Sequence, residues 1–131
     1  MATELFILAL GGVLLVIHIF LAVHFKTRQY GVDWNTGARD AQMPPLDPVA
    51  GRLARAQANF QETLPLAIIA LLGVVLADRT SEWTALGGWI WLGARAVYLP
   101  LYWAGVPKLR TLVFLVSLIG LGMALWPLLF G

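Results

Sequence analysis

The sequence RLARAQANFQETLP, residues 52 to 65, places charged and amide side chains at a regular helical spacing directly before an apolar run. At about 100° per residue, Arg52, Arg55, Asn59 and Glu62 lie within about 80° of one another on a helix. A charge at bilayer depth costs about 2.5 to 3.5 kcal/mol, so such a face cannot be turned to lipid. The stripe therefore predicts a face directed to a bundle interior, a water-filled cleft or a neighbouring subunit.

The composition is typical of an integral membrane protein. Of the 131 residues, 60% are hydrophobic and 12% are charged, and this leaves too little polar surface to cover a water-soluble domain. The net charge of +2 comes from scattered basic residues, which argues against a nucleic-acid partner. The chain has no cysteine, so a disulfide, a thiolate metal site and a cysteine nucleophile are excluded. We expect one membrane domain over residues 1–131, in contact with membrane lipids and without a metal.

Four segments approach the roughly 20 residues that a helix needs to cross a bilayer. We predict an all-α bundle of four transmembrane helices at about 4–25, 50–77, 82–103 and 109–130. The connection 26–49 is long and the other two are tight turns, so the last three helices should be antiparallel neighbours. The second helix spans the bilayer only if Asn59 and Glu62 are included. Pro65 is expected to kink it by removing the hydrogen bond to the Gln61 carbonyl.

Glycines occur close together in three of the apolar segments. They are Gly11 and Gly12, Gly87 and Gly88, and Gly120 and Gly122. No lysine or serine follows them at the spacing of a phosphate-binding loop. We therefore expect these glycines to permit close packing of helices.

Basic residues are distributed unequally among the three connections. The long connection and its flanks contain Lys26, Arg28, Arg39, Arg52 and Arg55, the last connection contains Lys108 and Arg110, and the middle one contains only Arg79. Because cytoplasmic connections carry the excess of Lys and Arg, the first and third should be cytoplasmic and both termini outside. The first four residues, Met-Ala-Thr-Glu, are acidic rather than basic, the apolar run is too long for a secretory signal and no cleavage site precedes Lys26, so this segment is expected to be a retained helix.

A second polar face occurs in ARAVYLPLY, residues 94 to 102. Arg95, Tyr98 and Tyr102 follow the spacing i, i+3, i+7 on one helix face, with Arg95 about 12 Å inward from the helix end. In the predicted topology this face meets the start of the second and fourth helices on the cytoplasmic side. One site could then contain Arg55, Asn59, Glu62, Arg95, Tyr98, Tyr102 and Arg110.

These side chains suit a zwitterionic peptide with surplus negative charge. Guanidinium groups bind carboxylates through two hydrogen bonds, a carboxylate binds an ammonium, and amides and phenols donate and accept. Glutathione has two carboxylates, one ammonium and a thiol. An arginine beside its sulfur would lower the pKa of the thiol from about 8.5 toward neutrality by stabilising the thiolate. The thiolate could then attack an apolar electrophile that arrives through the lipid.

The chain resembles the MAPEG family, membrane-associated proteins in eicosanoid and glutathione metabolism. The resemblance rests on RAQANFQETLP, on R-x-x-Y-x-x-x-Y from Arg95 to Tyr102, and on an arginine at the start of the last helix. The stretch GARDAQMPPL is similar to prokaryotic members. The resemblance covers nearly the whole chain. It implies a homotrimer, here in a bacterial inner membrane, with glutathione sites between subunits near the cytosolic face.

The resemblance also implies roles for individual residues. Glutathione would be the bound co-substrate of a transferase or peroxidase that acts on lipophilic electrophiles by thiolate attack. Arg110 would be the catalytic residue that activates the thiol. The implied glutathione-binding residues are Arg55, Asn59, Glu62, Arg95, Tyr98, Tyr102, Arg28 and Lys26.

Other interpretations of the same residues stay open. Arg55, Asn59 and Glu62 could belong to a structural network in which Glu62 pairs with Arg95. Tyr98 and Tyr102 could be interfacial aromatics, and Arg110 could serve only topology. The protein could then be a non-catalytic structural or lipid-binding trimer. It could also be a small proton-coupled exporter that uses Glu62, although nearby arginines would hold that carboxyl ionised. The connection 26–49 could be a lid or disordered.

Overall fold

Four long helices and one short helix make up the protein, described over all 131 residues by a computed structural model. The helices are α1 (Thr3–Tyr30), α2 (Val32–Thr36), α3 (Pro48–Leu76), α4 (Glu82–Ala104) and α5 (Pro107–Phe130). Three of them, α1, α3 and α5, are long and apolar enough to cross a membrane. The fourth long helix has 23 residues, but its mean hydropathy is lowered by Arg95 and by its aromatic residues and glycines.

The first helix is longer than its apolar run. Hydropathy predicts an end near residue 25, whereas α1 continues to Tyr30, and the Gly31 N–H donates to the Thr27 carbonyl at the helix end. Gly31 has a φ of 98°, a conformation that favours glycine and ends the helix. The short helix α2 follows at once. The predicted connection 26–49 is therefore partly helical.

The rest of the connection is fastened to the end of α1. Gln29 donates to the Pro45 carbonyl at 2.9 Å and accepts from the Asp47 N–H at 2.7 Å. The Tyr30 hydroxyl donates to the Pro44 carbonyl. These hydrogen bonds set the position from which α3 begins at Pro48, where proline is favourable because the first N–H of a helix has no partner.

The third helix changes its winding after Pro65. Residues Pro48–Ala67 are α-helical, Ile68–Leu72 are π-helical and Gly73–Leu76 return to the α-helical form. Proline has no N–H and its ring crowds the preceding turn, and single π-helical turns relieve such local disruption. The polar stripe lies before this turn, in the regular α-helical half.

The pair formed by α4 and α5 packs with the backbones in close approach. A Cβ at Gly87 would lie 2.5 Å from the Gly120 carbonyl oxygen, and a Cβ at Gly120 would lie 2.5 Å from the Gly87 carbonyl oxygen. Within one chain Gly12 and Gly122 do not have the expected packing role, because a Cβ at either would have no atom within 4 Å. Helical periodicity explains the difference, since Gly122 faces away from the contact that Gly120 makes.

Buried side chains from α1, α3, α4 and α5 form the core. Phe60 and Trp91 stack at its centre with ring centroids 6.1 Å apart, and His18 stacks on Phe60 at 4.8 Å. His18 also hydrogen-bonds through Nδ1 to the Leu14 carbonyl. At one end of the bundle Thr84 donates to the buried carboxylate of Glu4, which joins the start of α1 to the start of α4. The core therefore fixes α3 against α4 along the polar stripe.

We predict that Gly120→Ala lowers the free energy of unfolding by about 1 to 3 kcal/mol, because the added methyl group would separate α4 from α5. Gly122→Ala on the same helix is the control and should have little effect, since open space surrounds it. Thermal unfolding of both variants in one detergent measures the difference. Equal melting temperatures would contradict the close contact.

Candidate functional site

Six of the predicted site residues line one cleft of about 380 Å³, a volume within the range of small-molecule sites. The cleft lies at the end of the bundle where α3 begins and where a tight turn joins α4 to α5. Its polar lining consists of Arg55, Asn59 and Glu62 from α3, Tyr98 and Tyr102 from α4, and Arg110 from α5.

Helical spacing explains why these residues share the cleft. Arg55, Asn59 and Glu62 follow i, i+4, i+7 and therefore lie on one face of α3. Tyr98 and Tyr102 are one turn apart on α4. The turn between α4 and α5 is short because Gly105 ends α4 in the left-handed conformation, with a φ of 76°, and α5 begins at Pro107. Arg110 is thereby returned to the same end of the bundle.

The two arginines of the cleft lie beside the same aromatic ring, that of Tyr102. The Arg110 Cζ atom lies 4.3 Å from the centroid of the Tyr102 ring, and the Arg55 Cζ atom lies 6.0 Å from the same centroid. Tyr98 contacts Tyr102 edge-on at 5.5 Å between centroids. A guanidinium over an aromatic face is attracted by the ring, so Tyr102 holds two arginines near each other in spite of their like charge.

Most polar groups of the cleft have no partner within the chain. The side chains of Arg55, Glu62, Tyr98, Tyr102 and Arg110 line the cleft without an intramolecular hydrogen bond. Arg55 and Glu62 are exposed, and Tyr102 and Arg110 are partly exposed. These polar groups are therefore open to a partner that enters the cleft from outside the chain.

Arg95 lies behind the cleft and does not line it. The residue is 0% exposed, its Nη1 donates to Asn59 Oδ1 at 2.7 Å, and its Nε and Nη2 have no hydrogen-bond partner. Within one chain Arg95 therefore reaches the cleft only through its hydrogen bond to Asn59. The pairing of Glu62 with Arg95 that a structural network requires is also not formed.

Lys26 and Arg28 lie away from the cleft. Both belong to the last turns of α1, and Arg28 borders a separate depression together with Asp47 and Val49. No residue from 26 to 49 lines the cleft, so within one chain this connection does not act as its lid. Both residues belong to α1 because this helix continues beyond its apolar run as far as Tyr30.

Arg52 belongs to the sequence stripe but serves another purpose. Its Nε donates to the Trp103 carbonyl at 3.0 Å, and its guanidinium packs beside Gly105. The last carbonyls of a helix have no partner within the helix and carry partial negative charge. Arg52 therefore caps the end of α4. In the same way Arg79 donates to the Pro127 carbonyl near the end of α5.

Three lining residues were not predicted from the sequence. Ala58, Thr111 and Phe114 complete the cleft, and Phe114 packs against Tyr98 with ring centroids 6.0 Å apart. Phe114 lies four residues after Arg110 and therefore on the same helical face, so this spacing could have predicted its position in the cleft. Thr111 donates its hydroxyl hydrogen to the Pro107 carbonyl at 3.1 Å.

Comparison with known proteins agrees with the resemblance seen in the sequence. The MAPEG family model matches residues 5–130, nearly the whole chain. Comparisons with curated proteins and with solved structures found no match.

Two neighbouring arginines of one stripe should respond differently to truncation. We predict that Arg52→Ala lowers the free energy of unfolding by about 1 to 2 kcal/mol, because the end of α4 loses its cap. Arg55→Ala should stay within about 0.5 kcal/mol of wild type, since its guanidinium makes no hydrogen bond within the chain. Thermal unfolding compares them, and a large loss for Arg55→Ala would indicate a structural role for the cleft arginine.

Proposed function

The chain belongs to the MAPEG family, and from this premise we propose that it is a membrane-bound glutathione transferase or peroxidase. The family includes glutathione-dependent transferases and peroxidases. The protein is an integral membrane protein with three candidate spans. The observation that carries the proposal is the cleft with five polar side chains that have no partner within the chain, because glutathione could provide a hydrogen-bond or ionic partner for each of them.

The charges of the cleft complement those of glutathione. Arg55 and Arg110 offer donors to its two carboxylates, and Glu62 offers an acceptor to its ammonium group. The phenol groups of Tyr98 and Tyr102 are available to the peptide or to the sulfur. The arginine charges, including the buried Arg95, exceed the single carboxylate of Glu62 and so favour an anionic ligand.

Arg110 is proposed to stabilise the glutathione thiolate. Its position at the start of α5, over the Tyr102 ring, leaves the guanidinium beside the cleft rather than committed to a carboxylate. The sulfur electron pair would form a bond to an electrophilic carbon or peroxide oxygen, and the leaving group would depart with its own pair. A lowered thiol pKa makes this nucleophile available near neutral pH.

We propose that the active protein is a homotrimer with each cleft at a subunit boundary. Lys26 and Arg28 could reach a cleft only from another subunit, because they lie away from the cleft of their own chain. We also propose that α4 is a fourth membrane-spanning helix, since its 23 residues suffice in length and its arginine is enclosed by protein. From the distribution of basic residues among the connections we further propose that the cleft faces the cytoplasm and that both termini lie outside, and from the resemblance to prokaryotic members that the membrane is a bacterial inner membrane.

Isothermal titration calorimetry of the purified protein with glutathione tests the proposal. We predict saturable binding together with the ultraviolet absorbance of a bound thiolate. Arg110→Ala should abolish the thiolate absorbance and should raise the dissociation constant for glutathione by less than about tenfold. Lys108→Ala, which removes an exposed charge two residues away outside the cleft, should change neither signal.

The outcomes separate the alternative functions. Binding without a thiolate signal would support a non-catalytic protein that binds glutathione. The absence of binding would reject glutathione as the ligand. An unchanged thiolate signal in Arg110→Ala would remove this residue from its catalytic role.

A further inference from the structure

One hydrogen bond connects the buried core of the bundle to the cleft. Arg95 is completely buried and donates from Nη1 to Oδ1 of Asn59, and Asn59 lines the cleft. The pair joins a buried charge on α4 to an amide on α3 that faces a ligand site. The orientation of that amide decides whether the cleft presents a donor or an acceptor at this point.

The chemistry of the guanidinium fixes which end of the amide faces it. Arginine has N–H donors and no acceptor, so an amide can hydrogen-bond to it only through the oxygen. If the Asn59 amide turned over, its amino group would oppose Arg95, whose Nε and Nη2 already have no partner. The guanidinium would then have no acceptor at all, and burying an unpaired charge is strongly unfavourable.

No other group accepts a hydrogen bond from the Arg95 guanidinium. Three aromatic rings surround it: the Arg95 Cζ atom lies 4.2 Å from the Tyr98 ring centroid, 5.2 Å from that of Phe60 and 5.7 Å from that of Phe114. Aromatic faces attract the charge but do not provide an oxygen for the N–H groups. Asn59 Oδ1 is therefore the acceptor on which the orientation depends.

We propose that Arg95 is a positioning residue that turns the Nδ2 amino group of Asn59 toward the cleft. At this point the cleft would recognise a ligand by an acceptor, either a carboxylate or a peptide carbonyl. The inference rests on the proposed function, because it describes how the same cleft selects its ligand. With Arg55 and Arg110, the amide makes a wall of donors in which Glu62 is the one carboxylate. Ligands that present amines at the amide position would be rejected.

Asn59→Asp tests the orientation because it keeps the side-chain shape and replaces the amino group by an oxygen. If Arg95 holds one oxygen, the second oxygen of the new carboxylate faces the cleft where donors stood before. Glutathione affinity, measured by calorimetry, should then fall about 10- to 100-fold. Affinity equal to or tighter than that of wild type would overturn the proposal, because it would mean that the oxygen of Asn59 already faces the ligand.

Gln61→Glu is the matched control for added negative charge. Gln61 is exposed on the same helix, two residues away, and does not line the cleft. The loss of affinity should be clearly larger for Asn59→Asp than for Gln61→Glu. Equal losses would attribute the effect to charge alone and would overturn the assignment of Nδ2 as a donor.

A second measurement examines the Arg95–Asn59 contact without any ligand. In the wild-type background, Asn59→Asp should raise the melting temperature, because the buried guanidinium gains a carboxylate partner. In the Arg95→Met background, the same substitution should lower the melting temperature, because the new carboxylate has no guanidinium to pair with. Additive effects would overturn the positioning role. Opposite signs would support it even if wild type bound no glutathione, a result that would reject the proposed function alone.

Rescue by a conservative variant completes the test. Arg95→Lys keeps a charged donor for Oδ1, so it should retain more glutathione affinity than Arg95→Met. Equal affinity of the two variants, with both correctly folded, would show that no donor at this position is needed and would overturn the proposal.

Discussion

The structure depends on the burial of one guanidinium group without a carboxylate. Arg95 is enclosed between α3, α4 and α5, where three aromatic rings and the Asn59 oxygen surround it. A charge in such a place is tolerated only if its surroundings are held rigidly around it, since each lost contact leaves the charge less compensated. The packing of Phe60 against α4 and the direction of the Asn59 amide thus both serve to compensate the buried charge of Arg95.

The arginines of the protein fall into two groups that differ in their partners. Arg52 and Arg79 donate to backbone carbonyls near the ends of α4 and α5, where helix dipoles favour positive charge. Arg55 and Arg110 instead lie beside the ring of Tyr102 and have no acceptor within the chain. The first group is satisfied by the fold itself. The second group is free to bind something that enters the cleft, and this contrast separates stabilising residues from candidate binding residues.

Much of this arrangement could be predicted from the sequence because helical periodicity determines which side chains share a face. The spacing of Arg55, Asn59 and Glu62, and that of Tyr98 and Tyr102, was sufficient to place them together. Periodicity could not separate Arg52 from this set, since its role depends on the end of α4, which is distant in sequence. Hydropathy likewise located the apolar run of α1 but not its helical end, because hydrogen bonding continues where hydrophobicity stops.

Depth was the second property that the sequence could not supply. Arg95 shares a face with Tyr98, yet Tyr98 lines the cleft and Arg95 does not, because the rings of Phe60, Tyr98 and Phe114 close over the guanidinium. The buried Arg95 therefore contacts the lining of the cleft through the side chain of Asn59. The start of α5 adds a complementary feature, since exposed Leu109 and Leu112 flank Arg110 on the outer surface. A charged cleft and an apolar surface meet at this helix, so a water-soluble anion and a lipid-soluble molecule could approach the same arginine from opposite sides.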